Sequence, residues 1–134
     1  MRVLKSEQIE VRSERDMVQA RQAVRAWSLE IGLKLVDQTK LVTAASELAR
    51  NMLIYGQGGQ ITLEVVDSGV RKGLRLVFED QGPGIPDIEQ ALQNGYTTGT
   101  GLGLGLGGAK RLVNEFHIDS RPGEGTRVTV IKWN

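Results

Sequence analysis

Three groups of residues stand where a plain core or surface residue would be expected, and each is suited to chemistry. Asp80 closes an alternating run in which Leu74, Leu76 and Phe78 share one face. Period two therefore puts its carboxylate on the side meant for a core. A carboxylate there loses hydration unless a partner hydrogen-bonds to it. The chain then bends through Gln81-Gly82-Pro83-Gly84, leaving nothing bulky above it, although an Asp in this place can also simply end a strand and cap its turn. Glu47 and Asn51 lie four residues apart, so both project from one helix face, at the rim of a stripe formed by Leu41, Ala45, Leu48 and Met52. Such a pair suits a hard cation such as magnesium, which needs only one protein oxygen when phosphates supply others. A surface Glu–Asn hydrogen bond would use the same residues. The run from Gly99 to Gly108 alternates glycine with Leu102, Leu104 and Leu106. Its glycines let backbone N–H groups approach a phosphate closely, and a following helix would turn its positive end toward anionic oxygens.

The glycine run formally contains G-x-G-x-x-G from Gly103 to Gly108, but no strand precedes it and Gly95-Tyr96-Thr97-Thr98 is loop-like. The dinucleotide reading is therefore rejected, and no phosphate-loop motif of the G-x-x-x-x-G-K-[ST] type occurs. Each signal is weak by itself. Their conjunction in one order (helical E-x-x-x-N, strand-terminal D-x-G-x-G, glycine run into a helix) fits one nucleotide pocket.

The elements that must position these residues follow from periodicity. Residues near Gln8 to Arg12 alternate weakly and predict an edge strand. Ser13 with Asp16 three residues on resembles a capping box. The helix behind it presents Met17, Ala20, Val24, Trp27 and Ile31 on one face and ends at Gly32. A second helix is predicted from Asp37 to Tyr55, stopped by Gly56-Gln57-Gly58-Gly59. A hairpin follows, with Ile61, Leu63 and Val65 facing one way, a turn at Asp67-Ser68-Gly69, and a return strand from Leu74 to Asp80. Residues 81–100 are turn-rich with a short helix after Pro86. Ala109, Leu112, Val113 and Phe116 have helical spacing. A last hairpin, His117 to Arg121 and Thr126 to Trp133, turns at Pro122-Gly123-Glu124-Gly125, with Thr126 in phase with inward Val128 and Val130. Hairpins with helices gathered between them predict one helical layer on one sheet.

Composition bounds the rest. A chain of 134 residues makes one domain able to bury about two-thirds of its unfolded surface. Hydrophobic residues at 40% and charged residues at 25% are ordinary for a globular protein. The net charge of +1 attracts neither nucleic acid nor membrane. With no cysteine, disulfides and thiolate metal sites are excluded. The charged start, Met1 to Glu7, does not have the form of a signal peptide, and no apolar run has the length of a membrane span, so a cytoplasmic location is expected.

The three groups resemble the GHKL ATPase superfamily of gyrase, Hsp90, histidine kinases and MutL, whose fold is called the Bergerat fold. Glu47 to Asn51 is similar to its N box, Asp80-Gln81-Gly82-Pro83-Gly84 to its first glycine box, Gly101-Leu102-Gly103-Leu104-Gly105 to its second, and Gly125-Thr126 to its late Gly-Thr element. The resemblance implies one α/β two-layer sandwich (α+β) over residues 1–134, with a mixed, mainly antiparallel sheet and helices on one face. It further implies ATP and Mg2+ as ligands. Asp80 would receive the adenine amino group with support from Thr126, Asn51 would hold the metal, and Gly82, Gly84, Ile85, Thr98, Gly99, Gly101, Leu102, Gly103, Leu104 and Gly105 would complete the nucleotide site. Glu47, one turn before Asn51, is then placed to act as general base.

Within the superfamily the chain resembles the switch serine kinases of bacterial stressosome signalling along nearly its whole length. The segments Ser46-Glu47-Leu48-Ala49-Arg50-Asn51, Glu79 to Asp87, Gly123-Glu124-Gly125-Thr126 and Ile131-Lys132-Trp133 carry the likeness. It implies a serine/threonine kinase that phosphorylates STAS-domain partners and, once released, activates a PP2C-type phosphatase, with no nucleic acid or membrane partner. An anti-sigma factor kinase and a non-enzymatic ATP-gated binding module are the alternatives. The chain departs from histidine kinases in leaving no room before Met1 for a phosphoacceptor helix pair, and in carrying Ile54 where they commonly have a lysine. Arg50, Lys110 and Arg111 are the candidate phosphate cations. His117 is expected to be structural, and Arg15, Arg21 and Arg25 form either a basic partner strip or a solvated face.

Overall fold

A computed structural model describes residues 1–93 and 105–134. In chain order the elements are strand β1 (Arg2–Val11), helices α1 (Glu14–Glu30) and α2 (Leu35–Tyr55), strands β2 (Gly59–Asp67) and β3 (Lys72–Asp80), short helices α3 (Ile88–Ala91) and α4 (Gly105–Arg111), and strands β4 (Glu115–Ser120) and β5 (Thr126–Trp133). The strands form one sheet in the order β1-β2-β3-β5-β4. All four pairings are antiparallel, so the mixed sheet expected from the resemblance is, among the described residues, purely antiparallel.

The helical layer assembles as the periodicities dictate. Ser13 caps α1 by accepting the Asp16 N–H at 3.2 Å, and Asp16 reaches back to accept the Arg12 N–H at 2.8 Å. The shorter Asp thus closes the capping box one residue earlier than Glu would. Met17, Ala20, Val24 and Trp27 of α1 and Leu41, Ala45, Leu48 and Met52 of α2 are buried against Ile61, Leu63, Leu74, Leu76 and Val130 of the sheet.

Two predicted boundaries change most. Strand β1 extends back to Arg2, pairing from Arg2 opposite Asp67 to Val11 opposite Gly59. Its first seven residues are exposed, so they carry no apolar alternation, and only pairing with β2 shows them to be strand. The predicted helix through Phe116 instead ends at Arg111. The Leu112 N–H turns back to the Ala109 carbonyl and Asn114 N–H pairs with Ile131, which releases Phe116 to lie in β4 opposite Val130. Apolar residues three and four apart satisfied a helical template by coincidence, and β-pairing decided the outcome.

Candidate active site

The fold brings the C-terminal half of α2, the end of β3 and the start of β5 around one cavity of about 400 Å3. Antiparallel register sets Asp80 opposite both Gly59 of β2 and Thr126 of β5. Asn51, Asp80, Gly84, Ile85, Gly105 and Thr126 all line this cavity, as six of the predicted site residues. Its walls are otherwise largely apolar, with Leu48, Met52, Phe78, Leu106 and Val128 among them. The volume lies within the range of small-molecule pockets, roughly 300–1,000 Å3.

Asp80 is half-buried, and its Oδ1 accepts the Gly82 N–H at 3.0 Å. Burial pushes its carboxyl above the ordinary value of 3.8 by penalising the charged form, while backbone N–H groups of Gly82 and Thr126 pull the other way. Gly82 therefore acts through Asp80 rather than as a cavity wall. The carboxylate lies so close over Gly56 that a Cβ there would collide with it. Gly56 is thus a site residue as well as a helix stop, a role that sequence reasoning missed because the contact joins residues 24 positions apart.

The turn after Asp80 is held from the far hairpin. Gly123 N–H donates to the Pro83 carbonyl at 2.7 Å, and Ile85 N–H donates to Ser120 Oγ at 2.8 Å. Ser120 also lies 2.8 Å from the Thr126 hydroxyl. Ser120 is a second missed residue, since a lone serine at a strand end carries no signal in sequence. Gly125 has φ +85°, and a Cβ on it would collide with the Asp80 backbone carbonyl. Gly123, two residues away, has φ +79° with open space around it. Gly123→Ala should therefore cost only the left-handed backbone strain, about 1–2 kcal/mol. Gly125→Ala should cost that plus the collision, about 1–3 kcal/mol more. Denaturant unfolding of the two variants checks this; equal losses would show that Gly125 is not packed against Asp80 as described.

Glu47 does not line the cavity. It lies one turn before Asn51 on α2, only 5% exposed, and among the described residues its carboxylate has no hydrogen-bond or ion-pair partner. Arg50 instead leans toward Glu14 of α1, 3.8 Å away, and Lys110 and Arg111 sit exposed in the last turn of α4. No lysine or arginine is among the described residues lining the cavity. Ile54 is exposed. His117 faces solvent from β4 and does not line the cavity, and Arg15 and Arg25 are exposed on α1 with Arg21 partly covered. The predicted site residues Thr98, Gly99, Gly101, Leu102, Gly103 and Leu104 fall outside the described residues. The glycine run's remainder differs from expectation: Gly105 already begins α4, and Gly107 and Gly108 are buried in it. Gly107 packs so closely on the Leu92 carbonyl that it has no room for a Cβ. These last glycines thus serve helix packing, and Gly105 alone among them reaches the cavity.

An antiparallel sheet under helices, with a pocket bounded by a helical Asn and a strand-terminal Asp-x-Gly-x-Gly turn, defines a GHKL-type nucleotide-binding domain. The family described as histidine kinase-, DNA gyrase B-, and HSP90-like ATPase matches residues 36–133, and the chain belongs to it. It is 48% identical over 125 residues to the serine/threonine-protein kinase RsbT of Bacillus subtilis (strain 168), covering 93% of this chain and 94% of that one. It is 31% identical over 120 residues to an anti-sigma F factor of Thermoanaerobacter sp. (strain X514), covering 85% and 82%. The solved structure of the RsbU and RsbW domains of Rv1364c from Mycobacterium tuberculosis shares the fold, with TM-score 0.66 and 24% identity over 96% of this chain and 32% of that one.

Proposed function

We propose that this chain, an ATP-dependent serine/threonine-protein kinase of the partner-switching kind, phosphorylates small STAS-domain proteins of a stressosome-type system in the cytoplasm and, when released, activates a PP2C-type phosphatase. The observation that carries the nucleotide reading is the convergence of Asn51, Asp80 and Thr126 on one apolar cavity. The likeness to RsbT along 94% of that kinase supports the choice of reaction.

The donor set fits the ligands. Asp80 offers an acceptor at the end of an apolar slot, suited to an exocyclic amino group on a flat ring. Asn51 offers a carboxamide oxygen at the cavity, and no group of three His, Cys, Asp or Glu able to hold a metal occurs among the described residues. Asn51 would therefore be the protein ligand of Mg2+, the remaining oxygens coming from phosphates and water. Mg-ATP, when bound, supplies the phosphoryl group and much of the charge neutralisation that such transfer needs. The chain's own residues position and deprotonate. Gly84 and Ile85 shape the adenine end, Gly82 holds Asp80, and Gly105 stands at the cavity where α4 begins. Glu47 takes the proton from the partner's hydroxyl. Glu47 stands one helical turn before Asn51 and has no protein partner among the described residues, so its carboxylate is open to a reacting hydroxyl.

The test is transfer of label from γ-labelled Mg-ATP to a STAS-domain protein of the same genome. Label on a serine or threonine of that protein is expected. ATP binding without transfer to any such partner would overturn the kinase assignment and leave a nucleotide-gated binding module. The 31% identity to an anti-sigma F factor favours one second reading, sequestration of a sigma factor, which the same preparation tests by co-elution with sigma factors.

A further inference from the structure

Asn51, Asp80 and Thr126 do not exhaust the polar lining of the cavity, since Asp87 and Gln90 line it too. Asp87 caps α3, its Oδ1 accepting the Gln90 N–H at 3.0 Å. An acid and a Gln three residues apart are the pattern of a capping box, in which the Gln carboxamide bonds back to the N–H of the cap. That return bond is not made here. Among the described residues, neither the Gln90 carboxamide nor the second oxygen of Asp87 has a protein partner. A helix cap accounts for Asp87 Oδ1 and for neither of these two groups.

Their place along the cavity says what they would meet. Gly56 and Gly82 pack together at Asp80: a Cβ on Gly56 would strike the carboxylate, and one on Gly82 would strike Gly56. Two walls run on from that point. On α2, Asn51 stands five residues before Gly56, about 7.5 Å along the axis at 1.5 Å per residue. On the other wall, Pro83 to Asp87 line the cavity without a break and Gln90 follows. With adenine at Asp80 and the metal-bound phosphates at Asn51, ribose spans the interval between them. We propose that Asp87 and Gln90 select a ribonucleotide by contacting the two ribose hydroxyls, Asp87 through its second carboxylate oxygen and Gln90 through its carboxamide. The inference rests on the reading of the cavity as an ATP site with adenine at Asp80. An ionised carboxylate only accepts, so it suits a hydroxyl donor. It does not suit a phosphate, whose charge it repels. A carboxamide both donates and accepts, so it can take the neighbouring hydroxyl in either sense. Two such side chains across one helical turn match the paired hydroxyls of ribose.

The experiment measures the affinity of Mg-ATP and of Mg-2′,3′-dideoxy-ATP, which lacks both hydroxyls, for wild type, Asp87→Ser, Gln90→Ala and the double variant. Thermal unfolding of each sets a temperature at which all are folded. Serine also caps helices well, so Asp87→Ser keeps the cap and removes the second oxygen. Wild type should prefer ATP by at least about ten-fold, the lower end of what a hydrogen bond to a charged group contributes. Asp87→Ser should weaken ATP by about that factor, and Gln90→Ala by about five-fold, the worth of one neutral hydrogen bond. Neither should change the affinity for the dideoxy nucleotide, and the double variant should bind the two nucleotides alike. Equal weakening of both nucleotides would mark the two residues as merely shaping α3 and overturn the inference, as would a wild type that does not distinguish the nucleotides. Asp80→Asn separates the two levels. If that variant keeps its ATP affinity, the adenine reading itself fails; if it loses ATP while wild type binds both nucleotides alike, only the ribose assignment fails.

Discussion

Asp80→Asn is expected to weaken ATP binding about a hundred-fold while leaving the fold at least as stable as wild type. The affinity loss follows from replacing an ionised acceptor by an amide that can present N–H groups to the adenine amino group. A hydrogen bond to a charged partner contributes roughly 1.5–3 kcal/mol, which brackets two orders of magnitude. The stability gain has a separate cause. Burial holds the Asp80 carboxyl above 3.8 in the folded chain, so the ionised form is disfavoured there relative to the unfolded chain. Between 3.8 and that raised value the folded state binds more protons than the unfolded state. Stability from this group is therefore fully present below 3.8 and is lost as pH rises through the folded value. The asparagine variant lacks this titration but keeps an oxygen for the Gly82 N–H. Denaturant unfolding of both proteins across acidic to neutral pH should show wild type falling behind the variant as pH rises. A wild type that gains on the variant over that range would contradict a carboxyl raised by burial. Unchanged ATP affinity would mean that the purine is held by other groups.

Glu47→Ala should lower phosphotransfer to a STAS-domain substrate by at least about a hundred-fold, the lower end of what a positioned general base contributes. ATP affinity should stay within about three-fold, less than one neutral hydrogen bond would change it. The geometry supports this separation, because Glu47 stands one turn behind Asn51 and does not line the cavity. Loss of ATP binding would show that Glu47 holds nucleotide or metal, and full transfer would show that the hydroxyl loses its proton elsewhere. Glu47 has no hydrogen-bond or ion-pair partner among the described residues, so alanine removes no polar contact from the fold. Unfolding of the variant under the assay conditions would exclude collapse as the reason for lost activity.

Much of the scaffold follows from local chemistry alone. The α1 and α2 faces are periodic over four or more turns, and the Ser13–Asp16 cap and the two hairpin turns use residues whose backbone preferences admit few alternatives. The chemical residues Asn51, Asp80 and Thr126 were legible for the same reason: each breaks or extends a pattern set by its neighbours. Local pattern could not determine what depends on distant pairing. Strand β1 is exposed along most of its length and exists through its pairing with β2. Phe116 belongs to β4 because β5 is beside it, although its spacing matches a helix. The same limit hid Gly56 under Asp80, and Ser120 behind Thr126 and Ile85. Residue types and spacing singled out Asn51, Asp80 and Thr126, which the fold gathers on one cavity. Only tertiary contact decided which small residues make room for Asp80 and which hydroxyl holds Thr126, because close approach and hydrogen-bond sharing join segments that no local period relates.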